Sequence, residues 1–342
     1  MKEKLGLRDI MKISSISSGL VLIFSIIVLV SGKVFVELQK NADYTSLLYR
    51  KNFVYTLEYI CIYFVTLPLL IVLFHFIRGK KINSSLRSYL KKPERSFAWC
   101  AKWSIIAIGT SQGLNMLFRN AVSLIKSVIG QTSEVSLPPV KYNAYGLTAM
   151  FIVSCICAPI LEEIFFRGSI FVCNREMGDG FAIIICGLMF GLWHMNYGQF
   201  MLAFCFGVGF SFMTLKTKSL YPSIICHFIN NLMSNTLTIA SLKLYDVTGS
   251  YAPHSVVTKY LYKNDFALFV PYIITKLSVD VFIILGVILL IRELIKQRNR
   301  RTIQSLSKGN FSVSPAKARL AYFLCPVTLV TLALLTYITF AV

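Results

Sequence analysis

The residues best suited to chemistry in this sequence lie in three short polar stretches, each inside a long apolar run. The stretches are APILEEIFFRG from residue 158, MFGLWHMNYG from residue 189 and IICHFINNLMSN from residue 224. A charged side chain at the centre of a membrane helix costs about 3 kcal/mol, so each polar group here is a functional hypothesis. The candidate residues are Glu162, Glu163, Arg167, His194, His227 and Asn231.

A carboxylate with two imidazoles and an amide is a set suited to hydrolysis by water. Glu162 can take a proton from water, and an amide N–H such as that of Asn231 can stabilise an oxyanion. The imidazoles of His194 and His227 can either bind a metal or donate hydrogen bonds. The residue types therefore permit hydrolysis, although they do not prove it.

Helical spacing separates the roles of the two adjacent glutamates. Glu163 and Arg167 are four residues apart, the spacing of an ion pair on one helix face, and such a pair would neutralise both. Glu162 points about 100° away from Glu163 on the helix, which leaves it free to face the histidines. His227 and Asn231 also share a face at this spacing.

The composition places these residues in a membrane protein. Of 342 residues, 56% are hydrophobic and only 15% are charged, whereas soluble domains average about 25% charged residues. Apolar runs long enough to span a bilayer as helix recur along the chain. We expect one all-α membrane domain over residues 1–342, a polytopic helical bundle of about eight or nine spans. The runs lie near 13–32, 54–77, 97–123, 144–173, 181–197, 199–215, 219–241, 267–292 and 320–341.

The net charge of +20 is concentrated in a few loops and in the N-terminal head. Basic loops remain on the cytoplasmic side, so the pattern predicts a cytoplasmic N-terminus in an integral membrane protein of the plasma membrane, if the source is bacterial. The same loops can contact the headgroups of the lipid bilayer, and we expect no nucleic-acid partner. The first cluster contains Arg78, Lys80, Lys81, Arg87, Lys91, Lys92 and Arg95; the second contains Arg292, Lys296, Arg298, Arg300, Arg301, Lys308, Lys317 and Arg319.

Three ordered motifs give the sequence a family resemblance. Residues 162–167 read EExxxR, residues 190–194 read FxxxH beginning at Phe190, and residues 227–231 read HxxxN. The set resembles the CAAX-processing and bacteriocin-processing (CPBP, or Abi) family of intramembrane proteases. Each motif is weak alone, but the ordered set on separate spans is specific, and it defines a catalytic core over about residues 145–240.

The resemblance implies a glutamate-dependent intramembrane endopeptidase with an all-helical fold. By position, Glu162 resembles the base that activates water, with His194 as its partner or as a metal ligand. His227 and Asn231 resemble the pair that stabilises the oxyanion, or alternatively a metal ligand and its neighbour.

The remaining motif residues are implied to be supporting ones: Glu163, Arg167 and Phe190. The family is often described as metalloproteases, so the resemblance also implies zinc or another divalent metal, with Glu162, His194 and His227 as its ligands. The expected substrate is a membrane-associated or CAAX-like peptide or protein.

Two other function classes fit a polar cluster in a membrane bundle. A transporter would also need polar groups at mid-depth, and would show paired repeats with broken helices. A non-catalytic protein acting in bacteriocin immunity would use the same fold by contact alone. Substitution of Glu162 by glutamine separates these classes from a protease, because it keeps the shape and removes the base.

Overall fold

The chain folds as an all-α membrane helical bundle in a computed structural model that describes residues 4–79, 88–129, 140–250, 252–300 and 306–341. Within these ranges there are eleven helices and no strand; the only extended pairings are two isolated bridges. The helices are α1 (Leu7–Lys40), α2 (Asn52–Arg78), α3 (Phe97–Val128), α4 (Ala144–Met177), α5 (Asp179–Trp193), α6 (Tyr197–Thr217), α7 (Tyr221–Thr248), α8 (His254–Asn264), α9 (Phe266–Arg300), α10 (Pro315–Phe323) and α11 (Pro326–Ala341).

Short polar side chains mark where several helices begin. Ser96 accepts a hydrogen bond from the backbone N–H of Trp99 at the start of α3. Asn143 and Asn196 accept from Gly146 and Gly198 at the starts of α4 and α6. Each contact satisfies an N–H of the first turn, which has no partner within its own helix.

Among the described residues, five helices are long and apolar enough to cross a membrane: α1, α2, α4, α6 and α9. The other predicted spans are also helical, but α5 has only 15 residues, which is short for a helix that crosses a bilayer. Helices α3 and α7 are long enough and too polar, because they carry buried amides such as Asn115 and Asn230. The predicted eight or nine spans therefore include helices such as α3 and α7, whose polar residues are buried inside the bundle.

The last predicted span, 320–341, is not one straight helix. α10 and α11 meet at a bend of 62° between Phe323 and Pro326. Proline has no N–H to donate and its ring clashes with the preceding turn, so Pro326 begins a new helix. The bent pair can form a sixth span, and its bend was not predicted from the sequence.

One end of the bundle, called here the basic end, is formed by several chain segments. The backbone of Leu5 pairs with Asn310, and Gly178 pairs with Lys308. The segment before α3 reaches the same end, where Glu94 donates its N–H to Thr217. Described basic residues at this end are Lys4, Arg8, Arg78, Lys91, Lys92, Arg95, Arg175, Lys216, Lys218 and Lys308. Lys80, Lys81, Arg87 and Arg301, which also entered the charge argument, lie outside the described residues.

The Glu94 carboxylate ties two segments of the basic end together. Lys91 and Lys218 each donate to it at 2.9 Å. Hydrogen bonds from Lys218 and Lys91 hold the pKa of the Glu94 carboxyl below its usual range. All three side chains are well exposed to solvent, so the contacts are screened and contribute little to stability.

The largest apolar cluster lies where α1, α2, α4, α5 and α6 meet. Phe24 of α1 stacks on Trp193 of α5, with 3.7 Å between ring centroids. Phe165 and Phe166 of α4 pack against the same indole. This cluster fixes the C-terminal end of α5, where His194 follows.

Helices α5 and α6 form a tight hairpin that carries His194 at its tip. A Cβ added to Gly207 would lie 2.5 Å from the Cα of Gly187, so the two backbones touch at this crossing. Small residues at a crossing let membrane helices approach to van der Waals contact. These glycines therefore serve helix packing.

We expect Gly207→Ala to lower the free energy of unfolding by about 1–3 kcal/mol, because the new methyl group forces the hairpin apart. The measurement is thermal unfolding in a single detergent. Gly19→Ala is the matched control, since its Cβ would meet Val327 at an ordinary 3.6 Å. Equal stability of the two variants would contradict this account of the hairpin.

Candidate active site

The two glutamates lie in a short α-helical stretch between two wider turns of α4. Residues Ile152–Cys157 and Phe166–Phe171 form π-helical turns, and Ala158–Phe165 between them is α-helical. Pro159 near the start of this stretch cannot donate an N–H to the preceding turn. The wider turn before Pro159 accommodates this loss, and π-turns of this kind occur frequently at functional sites.

Glu163 is the centre of a buried three-residue contact. Its Oε1 accepts from Arg167 Nη1 at 3.0 Å, as the spacing predicted, and both side chains have no exposed surface. The same oxygen lies 3.1 Å from His227 Nδ1 of α7. The spacing argument paired Glu163 with Arg167 alone and did not predict this contact with His227, which follows from the way α4 is rotated toward α7.

Aromatic rings surround the remaining face of the Arg167 guanidinium. Its Cζ lies 4.5 Å from the ring centroid of Phe190 and 5.2 Å from that of Phe210, with Phe166 at 5.9 Å. Desolvated cation–π contacts of this kind contribute up to about 2 kcal/mol each. They partly compensate for Nε and Nη2, which have no hydrogen-bond partner among the described residues.

Glu162 makes a different contact from its neighbour. Its Oε1 accepts a hydrogen bond of 2.7 Å from the hydroxyl of Tyr63, which comes from α2. Glu162 is 5% exposed, so the carboxylate is almost wholly buried. The adjacent carboxylates are thus held by different helices, Glu162 by α2 and Glu163 by α7.

The two histidines lie on either side of Phe190. The rings of His194 and His227 are 5.0 and 6.1 Å from the Phe190 ring, both edge to face. His194 Nδ1 lies 2.8 Å from the carbonyl oxygen of Phe190. With each Nδ1 engaged, the Nε2 atom of each ring is the one available to a water or a substrate.

Asn231 is oriented by a chain of amides. Its Nδ2 donates to the carbonyl oxygen of Ser154 at 2.7 Å, inside the π-helical turn of α4. Its Oδ1 accepts from Asn230, whose own Oδ1 accepts from Gln112 of α3. A wider turn leaves backbone carbonyls without their usual helical donors, so this turn provides the acceptor for Asn231.

The site residues of α2, α4 and α5 lie at a similar depth. Measured along their helices from the basic end, Tyr63, Glu162 and His194 are each about 22 Å in, and His227 reaches the same layer through its contact with Glu163. The side chains of three helices and of the α5–α6 hairpin tip therefore meet inside the bundle. This placement keeps the polar groups away from lipid.

The predicted metal ligands do not form a metal-binding group in the described part of the chain. No three His, Cys, Asp or Glu side chains there are placed to hold one ion together. Glu162 is bonded to Tyr63 and His227 to Glu163, so the predicted set of Glu162, His194 and His227 is divided between two contacts. Zinc or another divalent metal therefore remains a prediction.

The motifs missed three groups that the structure brings to the site: Tyr63, Gln112 and the backbone carbonyl of Ser154. A signal for Tyr63 was present, since Tyr55, Tyr59 and Tyr63 recur every fourth residue in an apolar span. A phenol buried in such a span needs a hydrogen-bond partner. The partner could not be named, because Glu162 is distant in sequence and in another helix.

Comparison with known proteins supports the resemblance over this part of the chain. Residues 144–233 match the family model described as "Type II CAAX prenyl endopeptidase Rce1-like". We call these residues the CPBP-type segment, because they are similar to this family. This segment overlaps the predicted core of 145–240 and includes all three motifs.

A curated relative gives a similar result. The chain is 37% identical over 91 residues to the protein named "Putative membrane peptidase YdiL" of Bacillus subtilis (strain 168). The match covers 26% of this chain and 36% of the relative's length. No solved structure matches the chain significantly. Helices α1, α2, α3, α8, α9, α10 and α11 lie outside the CPBP-type segment.

We expect Arg167→Gln to lower the free energy of unfolding by about 3–5 kcal/mol, since it leaves the Glu163 carboxylate buried without its cation. Denaturant or thermal unfolding of the purified protein measures the loss. Lys91→Gln is the control, because it removes a cation from the exposed contact with Glu94 and should leave the stability nearly unchanged. A stable Arg167→Gln variant would show that the pair does not hold the site together.

Proposed function

We propose that the protein is an intramembrane endopeptidase that uses Glu162 to activate water. The observation that supports this best is the convergence of the three motifs on one buried site. Glu162, His194, His227 and Asn231 come from α4, from the tip of the α5–α6 hairpin and from α7. The CPBP-type segment contains all four, and the curated relative is named as a membrane peptidase.

In the proposed reaction, the Glu162 carboxylate takes a proton from a water held between it and His194. The water oxygen bonds to the carbonyl carbon of the substrate, and the negative charge that develops on the carbonyl oxygen is stabilised by His227 and Asn231. The C–N bond then breaks, and the proton on Glu162 passes to the departing amine nitrogen. The products are a new carboxyl terminus and a new amino terminus.

Asn231 can take this role while keeping its contact with α4. Its Nδ2 has two N–H donors; one is bonded to the carbonyl oxygen of Ser154, and the other can be offered to the substrate. The chain from Gln112 through Asn230 holds the other side of the amide and limits its rotation. The donor therefore remains directed toward the interior of the site.

Glu163, Arg167 and Phe190 are assigned supporting roles. The Glu163 carboxylate anchors the His227 ring through Nδ1, and Arg167 neutralises that carboxylate. Phe190 packs against Arg167 and against both histidine rings. These contacts fix the ring positions without touching the reacting atoms.

The substrate class follows from the location of the site. A buried site about 22 Å from one end of the bundle suits a peptide or protein associated with the lipid bilayer. A CAAX-like substrate is the more specific possibility suggested by the matched family. We place the catalytic unit at residues 145–240 within a single membrane domain of residues 1–342.

The direct test compares membrane proteins from cells that carry the wild type or Glu162→Gln. Glutamine keeps the shape of the side chain and removes the base, so we expect at least one substrate to be shortened only by the wild type. Asp280→Asn, on α9 and outside the CPBP-type segment, is the matched control and should cleave normally. Identical membrane proteomes for wild type and Glu162→Gln would favour a binding protein or a transporter.

The orientation of the bundle is a second proposal, with the basic end and the N-terminus in the cytoplasm. Single cysteines in a cysteine-free background test it with an impermeant thiol reagent. Tyr44→Cys, at a residue that is 80% exposed at the opposite end, should be labelled in intact cells. Lys92→Cys should be labelled only after the cells are opened, and the reverse pattern would invert the topology.

A further inference from the structure

Helix α2 contributes a residue to the site although it lies outside the CPBP-type segment. The Tyr63 hydroxyl donates to Glu162 Oε1 at 2.7 Å, the only hydrogen bond to the Glu162 side chain among the described residues. Tyr63 is 7% exposed, so the contact is shielded from lipid and water. Hydrogen bonds to charged groups in such surroundings contribute more than neutral ones.

Tyr63 is itself the last of three tyrosines whose rings follow one another along α2. The rings of Tyr55 and Tyr59 are 4.5 Å apart, and those of Tyr59 and Tyr63 are 5.9 Å apart with nearly parallel planes. Four-residue spacing places the three rings on one face of α2. The row limits the rotation of the Tyr63 side chain and so fixes its hydroxyl.

We propose that Tyr63 is a positioning residue that holds the Glu162 carboxylate in the orientation for accepting a proton from water. The proposal rests on the proposed function for its catalytic consequence, but the contact itself does not. Oε1 is held by the phenol, which leaves Oε2 as the oxygen to face water near His194. A glutamate side chain without such a contact has several rotamers, and a misplacement of about 1 Å can cost a hundredfold in rate.

A double-mutant cycle on thermal stability tests the contact without any substrate. Tyr63→Phe should lower the Tm of the wild type by about 2–4 °C, and by less than half of that in a Glu162→Gln background. Tyr322→Phe is the matched control, because its buried hydroxyl bonds Ser17 at 2.9 Å, away from Glu162. The loss of Tm caused by Tyr322→Phe should be the same in the wild-type and the Glu162→Gln backgrounds. Additive losses for Tyr63→Phe and Glu162→Gln would overturn the proposal.

Kinetics with a fluorogenic peptide tests the positioning role. The peptide is built from a cleavage site found in the membrane-protein comparison. Tyr63→Phe should lower kcat about tenfold or more with KM within twofold, because the substrate binds normally and only the base is misplaced. Tyr322→Phe should retain the wild-type kcat per folded molecule. A wild-type kcat in Tyr63→Phe would overturn the positioning role while leaving the proposed function intact.

The two proposals can fail separately. If the wild type and Glu162→Gln cleave equally, the proposed function fails, and the stability cycle still decides whether Tyr63 holds Glu162. If the wild type cleaves, Glu162→Gln does not, and Tyr63→Phe matches the wild type, only the positioning role fails.

Discussion

The buried ion pair between Glu163 and Arg167 is the contact on which the rest of the site depends. Both side chains are completely buried within a membrane bundle. A single unpaired charge there would cost about 3–5 kcal/mol, so neither residue is tolerated without the other. The pair also fixes its surroundings, because Glu163 binds His227 of α7 and Arg167 packs against Phe190 of α5 and Phe210 of α6. Four helices are thereby locked around one charge pair.

Arg167 neutralises the Glu163 carboxylate, so the two adjacent glutamates have different electrostatic surroundings. The two carboxylates are adjacent in sequence, and two like charges that close would normally repel one another. Arg167 compensates one of them, which in the proposed mechanism leaves Glu162 as the carboxylate for proton transfer. The helices that enclose this arrangement are correspondingly polar: α3 and α7 carry the amides that line the site, so they are less hydrophobic than the lipid-facing helices.

Much of the fold followed from the sequence because it depends on local patterns. Apolar runs predicted helices at all nine positions, and four-residue spacing predicted the Glu163–Arg167 pair. The resemblance carried by the motifs was confirmed over residues 144–233. Pro326 is evident in the sequence, but the bend was not predicted. A membrane helix can accommodate a proline without breaking, so its presence alone does not imply a bend.

The rest of the site could not be predicted because it depends on contacts between distant helices. Tyr63 and Glu162 are separated by 99 residues, and Gln112 and Asn230 by 118. Spacing along one helix cannot show which face of another helix it meets. The same limit explains why the contact between His227 and Glu163 was not predicted, because the rotation of α7 against α4 decides which glutamate His227 contacts.

The most direct measurement of the central claim is turnover per folded molecule for Glu162→Gln and Glu163→Gln, purified side by side. Monodisperse protein from size-exclusion chromatography gives the folded amount, so loss of folding is separated from loss of chemistry. The account predicts that Glu162→Gln loses about a hundredfold to ten-thousandfold in kcat, the contribution of a general base. Glu163→Gln should yield less folded protein, with a kcat per folded molecule within about tenfold of wild type, because it loses an anchor and not the base. Near-normal turnover by Glu162→Gln, or complete inactivity of well-folded Glu163→Gln, would contradict the division of roles between the two glutamates.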